Sequence, residues 1–245
     1  MASISNSEIK LIKSLKDKKF RDKYGLFVVE GEKLVDEALR SRFEVERVLR
    51  RDDIGEEAMS RITQLSSPSP VLALVRKPTD IEIDTHTPTT GLHLALDGIR
   101  DPGNLGTIIR IADWFGIDTV YASPDTVDIF NPKVVQSTMG TIFRVRFHYT
   151  SIPVLCKTVY VSGGRVYGTF LDGSSIYTRD LSDCTSCPSI IVIGNEANGI
   201  SDATAAHVTD RLYIPPFPPD DPGSESLNAA VATAITVAEF RRQAL

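Results

Sequence analysis

Apolar positions along the chain switch repeatedly between a helical and a strand period. Over residues 8–19, Ile9, Ile12 and Leu15 stand between lysines, the spacing of a short amphipathic helix. "GLFVVEG" (Gly25–Gly31) predicts a strand between glycines, and "EKLVDEALRS" a helix with Leu34, Val35, Ala38 and Leu39 on one side. "VERVL" and "VLALV" (Val71–Val75) predict two further strands with a helix over "EEAMSRITQL" between them, and this α/β unit closes near Lys77. The Pro- and Thr-rich "KPTDIEIDTHTPTTG" predicts a linker over 78–90.

A second series fills 91–245. "LHLALDG" predicts a strand, "GNLGTIIRIADWFG" a helix closing on Gly116, "TVYAS" a strand and "PKVVQSTMG" a short helix. "IFRVRF" predicts a strand and Pro153–Tyr160 a helix. "RVYGTFL", "SIIVIG" and "RLYI" are further strands, and "SLNAAVATAITVAEFRRQ" is a last helix. Strands alternating with helices imply a mostly parallel sheet covered on both faces. Such sheets bind ligands beyond the carboxyl ends of their strands.

The composition, 42% hydrophobic and 24% charged over 245 residues, is that of a globular protein. No run of 18 apolar residues exists to span a membrane, and "MASISNSEIKLIKSLKDKKF" lacks the apolar core of a secretory leader. Three cysteines suit a reducing compartment better than a disulfide framework, so a cytoplasmic protein is expected. Cys184 and Cys187 form a C-x-x-C, but no second pair or nearby His completes a metal site, and they read as reduced loop thiols. His86, His93, His148 and His207 are scattered without ligand spacing, and no metal is expected. The net charge of −5 argues against nucleic acid. Locally the balance reverses: Lys10, Lys13, Lys16, Lys18, Lys19, Arg21 and Lys23 face only Asp17 and Asp22. That run is either a solvated helix face or a phosphate-binding patch.

Three loops at strand ends carry the candidate chemistry. In "LDGIRDPGNLGTIIRIADWFG" (Leu96–Gly116), Asp101-Pro102-Gly103 makes a turn and Asn104 reads as the N-cap of a helix whose N-terminus suits an anion. Arg110, following Ile108 and Ile109, is either a buried structural cation or a functional one. "IVIGNEANGIS" (Ile191–Ser201) places one carboxylate, Glu196, at the lip of a buried strand, where an ionised group needs a partner. "YIPPFPPDDPGSESLNAAVA" (Tyr213–Ala232) delivers Ser226, Leu227 and Asn228 to the last helix. None of these is G-x-G-x-x-G, G-x-x-x-x-G-K-[ST] or G-x-S-x-G, which argues against a Rossmann dinucleotide site or a P-loop.

Taken together, N-x-G-x-x-x-R at Asn104–Arg110, G-N-E-x-x-G-x-S at Gly194–Ser201 and I-P…S-L-N from Ile214 to Asn228 resemble the three ordered motifs of the SpoU (TrmH) family of RNA ribose 2′-O-methyltransferases. "KKFRDKYGLFVVEGEKLVDEAL" is similar to the ribosomal-protein-like substrate domain that many members carry. The resemblance implies a small N-terminal α/β domain over 1–77 that binds RNA. After the linker it implies a SPOUT-like, mostly parallel α/β domain over 91–245, whose C-terminal segment threads a trefoil knot around S-adenosyl-L-methionine. It implies catalytic roles for Asn104, Arg110, Glu196, Ser226 and Asn228, with Glu196 holding the arginine or neighbouring backbone. Cofactor contacts are implied for Thr169, Leu171, Gly194, Asn195, Glu196, Gly199, Ile214, Pro216, Ser226 and Leu227, with Gly194 allowing close approach of the adenosine. The chain departs from the family pattern in the long proline-rich loop Pro215–Glu225 and in Ala229, where Val is common.

Arginine has too high a pKa to serve as a base near neutrality. Arg110 is therefore expected to bind the target phosphate and stabilise the developing alkoxide, the proton leaving through Ser226, Asn104 or water. The expected substrate is large ribosomal RNA, with tRNA second. A non-catalytic RNA-binding relative and a nucleotide-binding oxidoreductase are the readings from other classes. From Leu227 to Phe240 the only polar residues are Asn228, Thr233, Thr236 and Glu239, so the last helix needs cover on more than one side. A homodimer would supply it, the small Ala229, Ala230, Ala232 and Ala234 admitting a close approach.

Overall fold

The computed structural model describes residues 4–78, 88, 90–117, 119–182, 187–218 and 226–245. The elements begin α1 (Asn6–Ser14), α2 (Lys18–Tyr24), β1 (Leu26–Glu30), α3 (Glu32–Arg40), β2 (Val45–Arg50), α4 (Arg51–Ile54), α5 (Glu56–Ile62) and β3 (Val71–Arg76). They continue with β4 (Leu92–Asp97), α6 (Pro102–Trp114), β5 (Thr119–Ala122), α7 (Pro132–Thr138), a 3-10 turn at Thr141–Phe143 and β6 (Arg146–Tyr149). The series closes with α8 (Ile152–Val161), β7 (Arg165–Ser175), β8 (Ser189–Gly194), α9 (Asp202–Ala205), β9 (Asp210–Tyr213) and α10 (Ala229–Gln243). The chain divides into two units: residues 1–79 with 128–144, and residues 80–127 with 145–245.

In the first unit, an antiparallel sheet of order β1-β3-β2 packs with the apolar side of α1. Ile9, Ile12 and Leu15 meet Leu26, Leu49, Met59 and Leu72 there. The single helix expected over 8–19 is two. Arg21, only 2% exposed, turns back from α2 and donates to the carbonyls of Leu15 (2.8 Å) and Lys16 (2.7 Å). Those are carbonyls that a helix end leaves without partners, so Arg21 satisfies the break between α1 and α2. The same guanidinium pairs with Asp128 at 3.0 and 2.6 Å. Residues 128–144 thus complete this unit: Phe130 lies 4.5 Å from Phe27 and Phe143 lies 5.1 Å from Phe43, centroid to centroid. The strand expected over "IFRVRF" is corrected for the same reason. Its first half is the 3-10 turn, set by Gly140 in the left-handed region and by Phe143 packing on Phe43, and only Arg146–Tyr149 is strand.

In the second unit six strands, all parallel, run in the order β6-β5-β4-β8-β7-β9. Ala95, Val166, Ile190 and Val192 pack with Ile152, Leu155, Cys156 and Val159 of α8 on one face. Tyr167 alternates to the other face, where its ring meets Phe240 of α10 at 4.8 Å, and α10 also packs on α6. From β4 the chain builds outward through β5 and β6, then returns to lay down β7, β8 and β9 on the opposite side of β4. The topological switch point therefore lies between β4 and β8, and a ligand crevice is expected beyond their carboxyl ends. The threading that the family resemblance implies involves the segment between β9 and α10, of which residues 219–225 lie outside the described residues. Cys184, His86 and most of the 78–90 linker lie outside them as well.

Candidate active site

The helix that follows β4 begins at Asp101. Its carboxylate accepts the Asn104 backbone N–H at 2.8 Å, and Pro102 fills the first helical position, where a missing N–H costs nothing. Asp101, rather than the expected Asn104, is the N-cap. Asn104 is left inside the first turn with its amide available for other bonds. Its Nδ2 donates to Glu196 Oε1 at 2.9 Å, and its Oδ1 accepts from Asn228 Nδ2 at 2.8 Å. Asn228 in turn caps α10, its Oδ1 accepting the N–H groups of Ala230 (3.0 Å) and Val231 (3.2 Å). Donor and acceptor rules fix the sense of this row. An ionised carboxylate only accepts, so Asn104 must turn its NH2 toward Glu196; helix N–H groups only donate, so Asn228 must turn its oxygen toward α10. The two demands meet without conflict at the Asn228–Asn104 bond.

Glu196 stands on an exposed loop, not at a buried lip, and its partners are the Asn104 amide and the Arg100 backbone N–H (3.5 Å), not Arg110. The loop is stitched to the end of β4. Asn195 Nδ2 donates to Gly98 O at 2.6 Å, and Ser201 donates to Asp97 Oδ2 through its backbone N–H (2.9 Å) and hydroxyl (2.8 Å). Asn195 and Gly199 exchange both backbone hydrogen bonds at 2.9 Å, closing the loop over Gly194. A Cβ on Gly194 would stand 2.2 Å from the carbonyl carbon of Gly199. The loop's own closure is thus sufficient to require glycine there.

Arg110 is exposed on α6, with no hydrogen bond or ion pair among the described residues, so the buried-cation alternative is removed. Thr169 donates its hydroxyl to Val192 O at 3.3 Å, which ties β7 to β8. Leu171 and Leu227 are exposed, Ile214 and Pro216 are half-buried, and Ser226 is exposed. The backbone N–H and C=O groups of Ile214 and Leu227 have no hydrogen-bond partner among the described residues. The exposed Leu227, with its own backbone donor and acceptor unused, suits a flat ring with a polar edge, such as an adenine. Sequence reasoning missed Asp97, and it named Asp101 only as a turn residue and Ser201 only as a motif position, without the cap and the tie to β4 that they form. Cys156 offers no second chemistry: burial, with a smaller contribution from Asp97, pushes its thiol up to about 12. Among the described residues there is no cluster suited to a metal ion, and no helix is long and apolar enough to cross a membrane.

Comparison with known proteins places the whole chain among RNA-modifying relatives. Residues 91–238 match the SpoU rRNA Methylase family, and residues 6–72 match the MRM3-like substrate binding domain. The chain is 33% identical to the 23S rRNA (guanosine(2553)-2′-O)-methyltransferase of Bacillus subtilis, over 98% of each chain. It is 27% identical to the mitochondrial rRNA methyltransferase 3 of Mus musculus, over 94% of this chain and 70% of that one. Among solved structures, the AdoMet-bound rRNA methyltransferase from Sinorhizobium meliloti superposes with a TM-score of 0.87 at 29% identity, covering 99% of this chain and 98% of that one.

Proposed function

We propose that this chain, which belongs to the SpoU rRNA methylase family, methylates a ribose 2′-hydroxyl of large-subunit ribosomal RNA at the β4–β8 crevice. The enzyme is an S-adenosyl-L-methionine-dependent RNA methyltransferase. The observation that carries the site assignment is the row Asn228–Asn104–Glu196, which joins three loops distant in sequence at the switch point.

When bound, the cofactor supplies an electrophilic methyl group on a sulfonium. Ile214 and Leu227 would hold the adenosine part through their backbone groups and apolar side chains, and Thr169, Leu171, Gly194 and Pro216 would contribute to the same site. Asn195 and Gly199 hold the loop that shapes this wall. Arg110 binds the phosphate next to the target nucleotide and stabilises the alkoxide as it develops. Asn104, held from both sides by Glu196 and Asn228, orients the ribose, and Ser226 passes the proton toward solvent. Positioning of this kind can supply several kcal/mol of the barrier when the reacting atoms are held about 3–3.5 Å apart. Residues 1–77 bind the RNA around the target, and two chains associate through the apolar surface that remains at the start of α10, in the cytoplasm.

The test is incubation with methyl-labelled cofactor and purified ribosomal RNA or tRNA, followed by digestion to nucleosides. Label in a 2′-O-methyl nucleoside of large-subunit RNA supports the proposal. Label only in tRNA moves the substrate, and cofactor binding without transfer makes the chain a non-catalytic relative.

A further inference from the structure

The basic run at the N-terminus acquires a shape once α1 and α2 are separated. Arg21 leaves the surface altogether, and Lys18 is engaged with Asp22 at 2.7 Å. What remains on α2 is a face made by residues 19, 20, 23 and 24, neighbours at helical spacing. Phe20 and Tyr24 stack along it at 6.4 Å with planes 15° apart. Lys19 Nζ lies 4.8 Å from the Phe20 centroid and Lys23 Nζ lies 5.3 Å from that of Tyr24. Phe20 is half-buried and Tyr24 is 37% exposed, so both rings reach the surface. The face thus aligns two rings with a lysine laid across each.

We propose that this face is a stacking platform for unpaired RNA bases. It rests on the reading of the chain as an RNA methyltransferase and specifies what its first unit grips. Aromatic rings bind single-stranded nucleic acid because every base has a stacking face, and interleaved cations follow the backbone. A cation over an exposed ring is held weakly. An incoming base displaces the ammonium from the ring, and the flexible lysine then swings to the adjacent phosphate without leaving the helix. One lysine thereby serves both states, covering the ring in the free protein and pairing with phosphate in the complex. A duplex, with its bases stacked internally, can use the lysines but not the rings.

The test uses the full chain, without cofactor, and a fluorescent ten-nucleotide single-stranded RNA, compared with the same strand in a duplex. Tyr24→Ala is expected to weaken single-strand binding about tenfold, leave duplex binding within about twofold, and leave the salt slope unchanged, while Tyr24→Phe binds as wild type. Lys19→Ala with Lys23→Ala is expected to weaken both RNAs and reduce the salt slope by about one to two. Equal losses on single strand and duplex for Tyr24→Ala, or no loss on either, would overturn the platform. Thermal melting of each variant confirms that a loss is not unfolding. Methyl transfer is measured separately on the same preparation, so an inactive protein that still prefers single strands would sink the enzymatic reading and leave the platform standing.

Discussion

Asn228 does two things with one amide, and the two can be separated by a single atom. Asn228→Asp keeps the oxygen that caps α10, at a helix terminus that favours negative charge, but removes the NH2 that Asn104 accepts from. The new carboxylate oxygen faces Asn104 Oδ1, which offsets the gain at the cap, so we expect a melting temperature lowered by no more than a few degrees together with a loss of transfer of about 100-fold in single-turnover assays. A wild-type rate would mean that the row has no part in catalysis. Arg110→Ala is expected to cost at least about 100-fold in rate while calorimetry finds cofactor affinity within a few fold, since the role proposed for Arg110, exposed on α6, is toward RNA phosphate and not the cofactor. At this scale the sequence marked candidate residues but not what they touch. Asn104, Glu196 and Asn228 stood out by motif. That the first two would bond to each other was hidden, because Asn104 is a residue type that usually caps and its neighbour Asp101 took that place. Gly194 is the converse: its glycine requirement comes from the 195–199 closure, which a one-dimensional pattern cannot display.

Elements reveal dependencies of their own. At the end of α10, hydrogen bonds from Arg242 (2.6 and 2.8 Å) and Gln243 (2.7 Å) hold the Glu239 carboxyl down to about 2. Gln243 also accepts from Leu181 N and donates to Arg179 O, so Glu239 helps fasten the segment after β7. A carboxyl whose pKa is depressed on folding stabilises the native state above its ordinary value near 4.5, and that contribution fades as pH falls toward 2. Melting followed through that window should show a steeper acid loss in the wild type than in Glu239→Gln. A different dependency governs attempts to isolate the catalytic unit. Removing residues 1–80 would strip Phe27 and Phe43 from Phe130 and Phe143, and Arg21 from Asp128. The product should bind a hydrophobic dye and aggregate instead of simply losing RNA affinity; a soluble, dye-silent fragment would contradict the packing described. Periodicity located nearly every helix and strand, yet it missed the α1–α2 break and the 3-10 turn. Both are enforced by partners far off in sequence, Asp128 for Arg21 and Phe43 for Phe143.

For the whole molecule, alternation of strands and helices was enough to predict a parallel sheet, since only crossovers of that length connect parallel neighbours. The order β6-β5-β4-β8-β7-β9 was not readable, because all the strands are similar apolar runs and nothing local distinguishes their neighbours. Covering of the last helix is likewise a property of the assembled unit. Ala230, Thr233, Val237 and Phe240 are already buried within one chain, which leaves Leu227 (48% exposed) and Val231 (47%) as the apolar surface at its start. Light scattering at micromolar concentration should give twice the chain mass, and Val231→Arg should halve it; a wild-type mass of one chain would refute the dimer. Ala230→Arg cannot serve this purpose, since that position faces the interior. The interleaving of the two units also bears on how the protein is made. Residues 128–144 close the first unit but are translated after β4, α6 and β5 of the second. The growing chain must therefore carry an unfinished first unit, its Arg21 and Phe27 without Asp128 and Phe130, through some fifty further codons (from about 80 to 128). Folding follows the order of contacts here, not the order of domains, and the interval before Asp128 leaves the ribosome is when the nascent chain is most open to holdase chaperones.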